Sequence, residues 1–286
     1  ILIQESSVKS LTFLGDMFDG VQCPCILLQL VATGKPLSTV GTRIEDRTRT
    51  FIIAMERTVV PEYFSFRMTD EEYRVLEKIK NSIPVCYLAD HADFALGIVT
   101  GNNKKFLSAE KTEHSEMVLK GTDICKYHIN PAKQYLRFEP EQFQQVAPLE
   151  IYRAPEKLLY RFISNQLVVA YDDRQMLSLN SCNIVIPKIE GMQIKYILAI
   201  LNSSVSQFVY QKEFHSIKVL RAHMEHIPIP RVGKAIQNEI IAMTEPLICG
   251  MGKEAAETCQ KRLDCRIMDL FRLSAEEQWI IRHALH

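Results

Sequence analysis

The segment from Gly97 to Lys105 combines residue types that a nucleic-acid contact requires. It reads Gly-Ile-Val-Thr-Gly-Asn-Asn-Lys-Lys. Glycines let a backbone approach a ligand closely, an asparagine amide can pair bidentately with adenine, and lysine neutralises phosphate. The glycine spacing does not fit the nucleotide-binding pattern G-x4-G-K-[ST], so no nucleotide site is predicted here. The two readings that remain are a DNA-contacting loop and an ordinary turn after a strand.

Two further polar groups are weaker indications of a site. Tyr171-Asp172-Asp173-Arg174 ends a predicted strand, and this composition is typical of a solvated turn. His223 and His226 are three residues apart, but no third metal ligand is evident nearby in the sequence. We therefore predict no metal and no cofactor for this chain.

The sequence also lacks the motifs of the catalytic reactions considered. It contains neither an Asn-Pro-Pro-Tyr nor an Asp-Pro-Pro-Tyr tetrapeptide, with which amino-methyltransferases hold a flipped base. No glycine-rich strand-to-helix turn for S-adenosylmethionine is evident, and no nucleophile, acid-base pair or metal cluster satisfies the requirements of an active site. Catalysis is therefore not predicted within these residues.

Bulk composition indicates a globular protein. The 286 residues are 47% hydrophobic and 24% charged, and no stretch approaches the roughly 20 apolar residues that span a bilayer. The eight cysteines form no C-x2-C pair, which favours reduced thiols in a cytoplasmic protein. The opening Ile1-Leu2-Ile3-Gln4 has no basic region of a signal peptide, and its start in mid-sequence suggests an excised fragment.

The charge distribution permits DNA binding without requiring it. The formal net charge is zero, whereas nucleic-acid binders usually carry a basic excess. Between Ile151 and Lys234, however, eleven basic residues stand against six acidic ones. A moderately basic zone therefore lies inside a neutral chain.

In the first part of the chain, Val21 to Val31 is predicted as a buried strand. Gly34 to Thr50 is polar and contains two glycines and a proline, which indicates a linker or exposed loop. Thr69 and Glu72 have the spacing of a capping box and predict the start of a helix. The main domain boundary is placed in the polar segment.

The remaining patterns predict an α+β protein with a helical C-terminal part. Lys157 to Ile163 and Leu167 to Tyr171 are apolar runs that predict a β-hairpin, and Asn183 to Ile186 predicts another short strand. Apolar residues at helical spacing follow from Ile194 to Val209, with a break expected at Asn202-Ser203-Ser204. After Pro230 the pattern is helical to the end.

Several stretches, in order, resemble the C-terminal half of TaqI-type adenine-N6 DNA methyltransferases and related fused restriction-methylation enzymes. The similarity covers nearly the whole chain, except that residues 51–90 match no part of this pattern. The similar stretches are Gly15–Val21 with Pro24 and Ile26–Leu28, Gly97–Asn103, Lys120–Ile124, Pro155–Leu159, Val168–Asp173, Leu198–Ser203, Leu220-Arg221, Ile227–Pro230 and Ile267–Glu277.

The resemblance implies a DNA target-recognition module without its catalytic core. Residues 1–40 would be the terminal strands of a methyltransferase domain and a linker, residues 41–232 a mixed β-sheet recognition domain, and residues 233–286 C-terminal helices packed on it. The implied partners are double-stranded DNA and the methyltransferase domain of the same polypeptide, and no membrane is expected. S-adenosylmethionine is implied only for the full-length parent, which would itself be a site-specific adenine methyltransferase or also an endonuclease.

The expected DNA contacts lie in or beside the similar stretches. Lysines would mainly contact phosphates, whereas arginines and asparagines would read bases. The expected contacts are Thr100, Gly101, Asn102, Asn103, Lys104, Lys105, Lys120, Arg153, Lys157, Arg174, Lys212, Lys218 and Arg221.

Two other functions stay open at this point. A protein-interaction scaffold in a phage-defence complex would fit the neutral charge and the helical C-terminus. A nuclease would fit the fused enzymes, but no acidic-acidic-x-Lys metal cluster is evident.

Overall fold

A computed structural model describes residues 6–20, 23–34, 38–57, 66–214 and 216–285. The chain forms two compact units, Ile1–Glu77 and Lys78–His286. Helix α1 (Asp70–Asn81) carries the boundary between them. No helix within the described residues is both long and apolar enough to cross a membrane.

The first unit contains one four-stranded sheet, in the order β2-β1-β3-β4. Strand β1 pairs antiparallel with β2 and parallel with β3, and β3 forms an antiparallel hairpin with β4. Val8, Leu11, Ile44, Ile53 and Phe66 pack together as its small apolar core. The strands are β1 (Ser6–Asp16), β2 (Pro24–Ala32), β3 (Arg43–Asp46) and β4 (Arg49–Ile52).

The prediction of a linker from Gly34 to Thr50 is wrong, because β3 and the start of β4 lie within it. Ile44, the single apolar residue of β3, is completely buried against β1. The neighbouring charges are paired, with Arg67 donating to Asp46 and Arg49 donating to Glu72. Ion pairing therefore lets a highly charged segment form a strand.

Strand β2 confirms a strand near Val21–Val31, but the expected burial is wrong. Residues 21 and 22 lie outside the described part, and the observed strand is largely exposed. Ile26 and Leu27, which point to opposite faces, are 55% and 62% exposed. The described residues of the first unit therefore leave both faces of this strand largely uncovered.

The sheet of the first unit includes residues on both sides of position 40 in the sequence. Strand β1 pairs with β2, which ends before residue 40, and with β3, which begins after it. The division into 1–40, 41–232 and 233–286 stays a prediction about the organisation of the polypeptide.

The predicted capping box is confirmed: Glu72 N–H donates to Thr69 Oγ1 over 3.2 Å, and Thr69 N–H donates to a Glu72 carboxylate oxygen over 2.9 Å.

The second unit is built on two four-stranded sheets, in the orders β11-β10-β13-β6 and β12-β8-β9-β7, with a short pair β14-β5. The predicted hairpin is confirmed as β10 paired antiparallel with β11, and the predicted strand at Asn183–Ile186 is part of β13. The strands are β5 (Val85–Cys86), β6 (Ala92–Ala95), β7 (Leu107–Ser108), β8 (Glu116–Leu119), β9 (Tyr135–Leu136), β10 (Lys157–Arg161), β11 (Val169–Asp172), β12 (Leu177–Ser178), β13 (Cys182–Pro187) and β14 (Ile229–Pro230).

Helices cover the sheets and form the C-terminal part. The predicted break is confirmed, since Ser203 ends one helix and its hydroxyl accepts the Ser206 N–H that begins the next. Ile197, Leu198 and Leu201 are completely buried. The helices are α2 (Asn103–Phe106), α3 (Leu149–Tyr152), α4 (Ile194–Asn202), α5 (Ser204–Glu213), α6 (Arg221–Glu225), α7 (Lys234–Cys249), α8 (Lys253–Leu270) and α9 (Ala275–Ala284). The predicted α+β class with a helical C-terminal part is confirmed.

Candidate nucleic-acid interface

The loop from Gly97 to Lys105 is fixed at its start by a close backbone contact. A Cβ atom added at Gly97 would lie 2.1 Å from the carbonyl oxygen of Leu179, so only glycine fits there. Ile98 N–H donates to Ser178 O over 2.7 Å, and Val99 N–H donates to Gln145 O over 2.9 Å. The loop therefore leaves a rigid base that joins the two sheets of the second unit.

The tip of this loop is organised by its own polar side chains. Gly101 has a φ of 76°, which allows the chain to turn. Asn102 begins helix α2, because its Oδ1 accepts the N–H of Lys105 over 3.2 Å. The buried Thr100 hydroxyl donates to Asn103 Oδ1 over 2.6 Å. Lys104 and Lys105 are exposed beyond this turn.

Lys120 lies at a second close approach of the backbone. A Cβ at the next residue, Gly121, would lie 2.5 Å from Ser181 O. The Gly121 N–H donates to the Ser181 hydroxyl over 3.0 Å, and Lys120 N–H donates to Asp123 Oδ2 over 2.8 Å. The element is therefore fixed to the residue that precedes β13, while the Lys120 side chain stays partly exposed.

Arg174 projects from a turn that rests on a buried ion pair. Asp172 accepts the N–H groups of Arg174 and Met176, each over 2.9 Å. Its Oδ2 lies 2.5 Å from Nζ of Lys157. Arg174 is exposed and forms no ion pair within the described part of the chain, so the turn presents an unpaired cation.

Two of the expected phosphate contacts are corrected by this arrangement. Lys157 is 0% exposed, because Asp172 and the carbonyl of Tyr152 hold its ammonium inside the protein. Burial lowers the pKa of this ammonium, and Asp172 opposes the change. Lys212 is also buried, with its Nζ 5.9 Å from the centre of the Phe208 ring. Neither lysine is placed at the surface where a phosphate could reach it.

Both terminal nitrogens of the Arg153 guanidinium are bonded within the protein. Its Nη2 lies 2.6 Å from Glu116 Oε1, and its Nη1 donates to Gln175 O over 2.7 Å. It thus ties β8 to the turn that carries Arg174. Arg161, which was not among the expected contacts, has a similar position, since it donates to the carbonyls of Gly121 and Ile124. No feature of the local sequence distinguished these supporting arginines from exposed ones.

Lys218 and Arg221 lie on the segment that leads into helix α6. Val219 N–H donates to Phe162 O over 2.8 Å, so this segment is fixed next to the β10–β11 hairpin. Lys218 is exposed. The Arg221 guanidinium lies over the Phe94 ring, with 5.2 Å from Cζ to the ring centre, and its Nε is 2.7 Å from Glu225 Oε1. Phe94 and Glu225 were not identified from the sequence, although the four-residue spacing of Arg221 and Glu225 is that of a helical ion pair.

His223 organises the same helix and does not resemble a metal ligand. Its Nδ1 accepts the N–H of Leu220 over 3.2 Å, and the ring also makes a hydrogen bond with the backbone of Lys218. His226 Nδ1 lies 2.6 Å from Ala222 O. Across the described ranges no three His, Cys, Asp or Glu side chains come together as a metal-binding group.

Apart from Arg153 and the buried Lys157 and Lys212, the expected contacts belong to four segments with common supports. Leu179 and Ser181 link the Gly97 loop and the Lys120 element, and Phe162 links the Lys218 segment to Ser181. Arg153 links the Arg174 turn to β8. The exposed or partly exposed members are Gly101, Asn102, Asn103, Lys104, Lys105, Lys120, Arg153, Arg174, Lys218 and Arg221.

Comparison with solved structures gives the fold of this chain. The structure of the type IIL restriction-modification enzyme MmeI in complex with DNA matches with a TM-score of 0.56 at 10% identity, over 98% of this chain and 45% of that one. The type IIG restriction endonuclease BpuSI matches with a TM-score of 0.41 at 10% identity, over 94% of this chain and 44% of that one. The HsdS subunit from Thermoanaerobacter tengcongensis matches with a TM-score of 0.39 at 13% identity, over 76% of this chain and 50% of that one.

The chain thus spans about half the length of these proteins or less. None of the curated protein sequences compared with it matches. The profile of the TaqI-like C-terminal specificity domain family matches residues 116–229. This region contains the Lys120 element, the β10–β11 hairpin, the Arg174 turn and the segment with Lys218 and Arg221. Residues 116–229 of this chain are therefore similar to the TaqI-like C-terminal specificity domain family.

Proposed function

We propose that this chain is the sequence-specific DNA-recognition part of a restriction-modification adenine-N6 DNA methyltransferase. The observation that carries the proposal is the specificity-domain match over residues 116–229. Its strands and turns contain most of the basic residues that the sequence predicted as DNA contacts. Those that are exposed or partly exposed, among them Lys120, Arg174, Lys218 and Arg221, support contact with DNA.

In this proposal the exposed cations position the DNA and the polar loop reads it. Lys104, Lys105, Lys120 and Lys218 would contact phosphates, since lysine acts as a compact, mobile charge. The amides of Asn102 and Asn103 would lie near base edges, although each also has a hydrogen bond within the loop. Thr100 and Gly101 would shape the loop rather than donate to DNA. Lys157 and Lys212 are left out of the proposed contacts because they are buried.

The catalytic step would belong to a methyltransferase domain of the same polypeptide. Strand β2 supports this, because it exposes apolar side chains on both faces. Strands with apolar residues on both faces are typical of sheets that are covered on both sides. S-adenosylmethionine would be held by that domain and would supply the methyl group, while this chain's residues would hold the duplex in register.

A protein-interaction scaffold in a phage-defence complex is the second candidate. It is favoured by the neutral total charge and by the many cations already paired with carboxylates, such as Arg266 with Glu239 and Lys195 with Glu245. Salt dependence separates the two candidates. If about five phosphates are neutralised, log K falls with log salt at a slope of roughly −4 to −5, whereas protein association usually gives a shallower slope.

The test is selection from a pool of random duplex DNA by the 286-residue chain, at low and at moderate salt. The proposal predicts enrichment of one short adenine-containing sequence and a steep loss of binding with salt. Equal binding of all sequences, or no binding by either this chain or the full-length protein, would contradict it. The full-length protein is the necessary companion sample, because a DNA clamp that needs both domains would bind only there.

A further inference from the structure

The guanidinium of Arg221 is held on two sides and open on the third. Its Nε donates to Glu225 Oε1 over 2.7 Å, and its Cζ lies 5.2 Å from the centre of the Phe94 ring. The side chain nevertheless remains 60% exposed. Within the described residues, neither terminal nitrogen, Nη1 or Nη2, donates a hydrogen bond. Two parallel N–H donors are therefore fixed in direction and face solvent.

Other arginines of the second unit lack this combination. Arg153 uses both terminal nitrogens within the protein, and Arg161 uses Nε and Nη2. Arg174 is exposed but has no carboxylate anchor among the residues described. Arg137 is anchored through Nε to Glu139 over 2.8 Å and is similarly exposed, but no aromatic ring of the described chain lies beneath it. Arg221 alone among these five has an anchored Nε, an aromatic ring beneath its guanidinium and two open donors.

Arg221 lines a groove that reaches Gly97, the first residue of the Gly97 loop. The groove has a volume of about 600 Å³ and is lined by strand β6, by residues 145–148 and by Ile151. Strand β6 is the end strand of its sheet, so one of its two backbone edges is not paired with another strand of that sheet. The groove reaches Gly97, where the loop with Asn102 and Asn103 begins. Arg221 thus lines the same groove as the first residue of the proposed base-reading loop.

We propose that Arg221 is a specificity-determining residue that reads a guanine of the target duplex. Nη1 and Nη2 donate to O6 and N7 of the base, which is the bidentate geometry in which arginine distinguishes guanine from the other bases. Glu225 and Phe94 are positioning residues, because they hold the guanidinium before DNA arrives and so reduce the freedom lost on binding. This inference rests on the proposed function and adds a chemical requirement: the recognised sequence contains a G·C pair at the position that faces Arg221.

The test compares base preferences of the wild-type chain with those of Arg221→Lys, in selections from random duplex DNA at one salt concentration. Lysine keeps the charge but not the planar pair of donors, so phosphate attraction is retained. We expect the preference for guanine at one position to fall roughly 10- to 100-fold, with the other positions unchanged. Glu225→Gln and Phe94→Leu should each cause a smaller loss at that same position.

Arg137→Lys is the matched control, because Arg137 is similarly exposed and bound to a carboxylate but has no aromatic ring of the described chain beneath its guanidinium. Unchanged base preferences in this variant, together with the local loss in Arg221→Lys, would support the proposal. If the wild type selects a sequence and Arg221→Lys selects the same one with equal stringency, Arg221 does not read a base. If the wild-type chain and the full-length protein select no sequence, the proposed function fails, and the assignment of Arg221 fails with it.

Discussion

The ammonium of Lys157 and the carboxylate of Asp172 form an ion pair across the β10–β11 hairpin, 2.5 Å apart and without exposure to solvent. Asp172 also accepts two backbone N–H groups of the following turn, and Lys157 donates to Tyr152 O over 2.6 Å. Desolvation of two charges is costly, and the hydrogen bonds around this pair offset part of that cost. The pair therefore links the interior of the sheet to the turn that presents Arg174.

Asp172→Asn should destabilise the protein strongly, because it leaves the Lys157 charge buried without a partner. Loss of one member of a buried ion pair typically costs about 3–5 kcal/mol in the free energy of unfolding. The double variant with Lys157→Met removes both charges while an amide oxygen still supports the turn. It should recover part of the loss in urea denaturation. A double variant less stable than Asp172→Asn alone would show that the buried charge is not the cause.

Stability should also depend on pH through His223. Burial lowers the pKa of this imidazole below 6.5, and the Lys218 backbone opposes the change while His226 adds to it. The ring packs against Tyr210 and Phe214, and its unprotonated Nδ1 accepts the N–H of Leu220. Because the folded state binds the proton less well than the unfolded state, this contribution is complete above about pH 6.5 and is lost as the pH falls through the folded-state value.

The corresponding measurement compares the wild type with His223→Gln, which does not titrate. Urea denaturation at pH 7.5 and at pH 5.5 gives the pH dependence of each protein. The wild type should lose more stability than the variant between these two values. Carboxylates and the other histidines titrate in both proteins and so cancel in the comparison. An equal loss in both would mean that His223 is not the responsible group.

Local signals in the sequence predicted much of the fold. The capping box at Thr69 and Glu72, the hairpin around Ser164 and the helix break at Ser203 were all correct, because each depends on residues close together in the chain. The hairpin at β3–β4 was missed, since its charges are satisfied by partners distant in sequence, such as Arg67. The burial of β2 was wrongly predicted, because a run of apolar residues does not show whether other residues of the first unit cover the strand.

The candidate interface was predictable in its segments but not in the state of each side chain. The family resemblance covered residues 116–229, which match the TaqI-like C-terminal specificity domain family, and the DNA contacts within them stay a prediction. Whether a lysine faces solvent depends on the register of a strand and on a partner elsewhere, as with Lys157 and Asp172. The stack of Arg221 on Phe94 joins residues far apart in the chain. No local pattern contains that information.

Gly97→Ala should separate the two sheets at the base of the proposed recognition loop. The added methyl group would meet a backbone carbonyl, that of Leu179, which cannot move away as a flexible side chain can. Forced overpacking of this kind costs about 1–3 kcal/mol. The control is Gly233→Ala, where no atom lies within 4 Å of the added Cβ and the loss should stay below about 1 kcal/mol. Similar unfolding midpoints for both variants would contradict the close approach.

The double variant Lys104→Ala with Lys105→Ala tests the contribution of the loop to DNA binding without altering its base. Both side chains are exposed, and the turn itself is held by Thr100, Asn102 and Asn103. Removal of two phosphate contacts should lower affinity at low salt and reduce the magnitude of the slope of log K against log salt by about 2, with base preferences unchanged.

Lys234→Ala with Lys253→Ala is the matched control for that experiment. Both lysines are exposed and begin helices α7 and α8, outside the segments proposed to contact DNA. The control changes the net charge by the same amount, so a general electrostatic effect would alter both double variants equally. Fluorescence anisotropy titrations at several salt concentrations distinguish the two cases. A change of slope confined to the Lys104 and Lys105 variant would locate phosphate contacts in the Gly97 loop, and equal slopes in all three proteins would remove this loop from the interface.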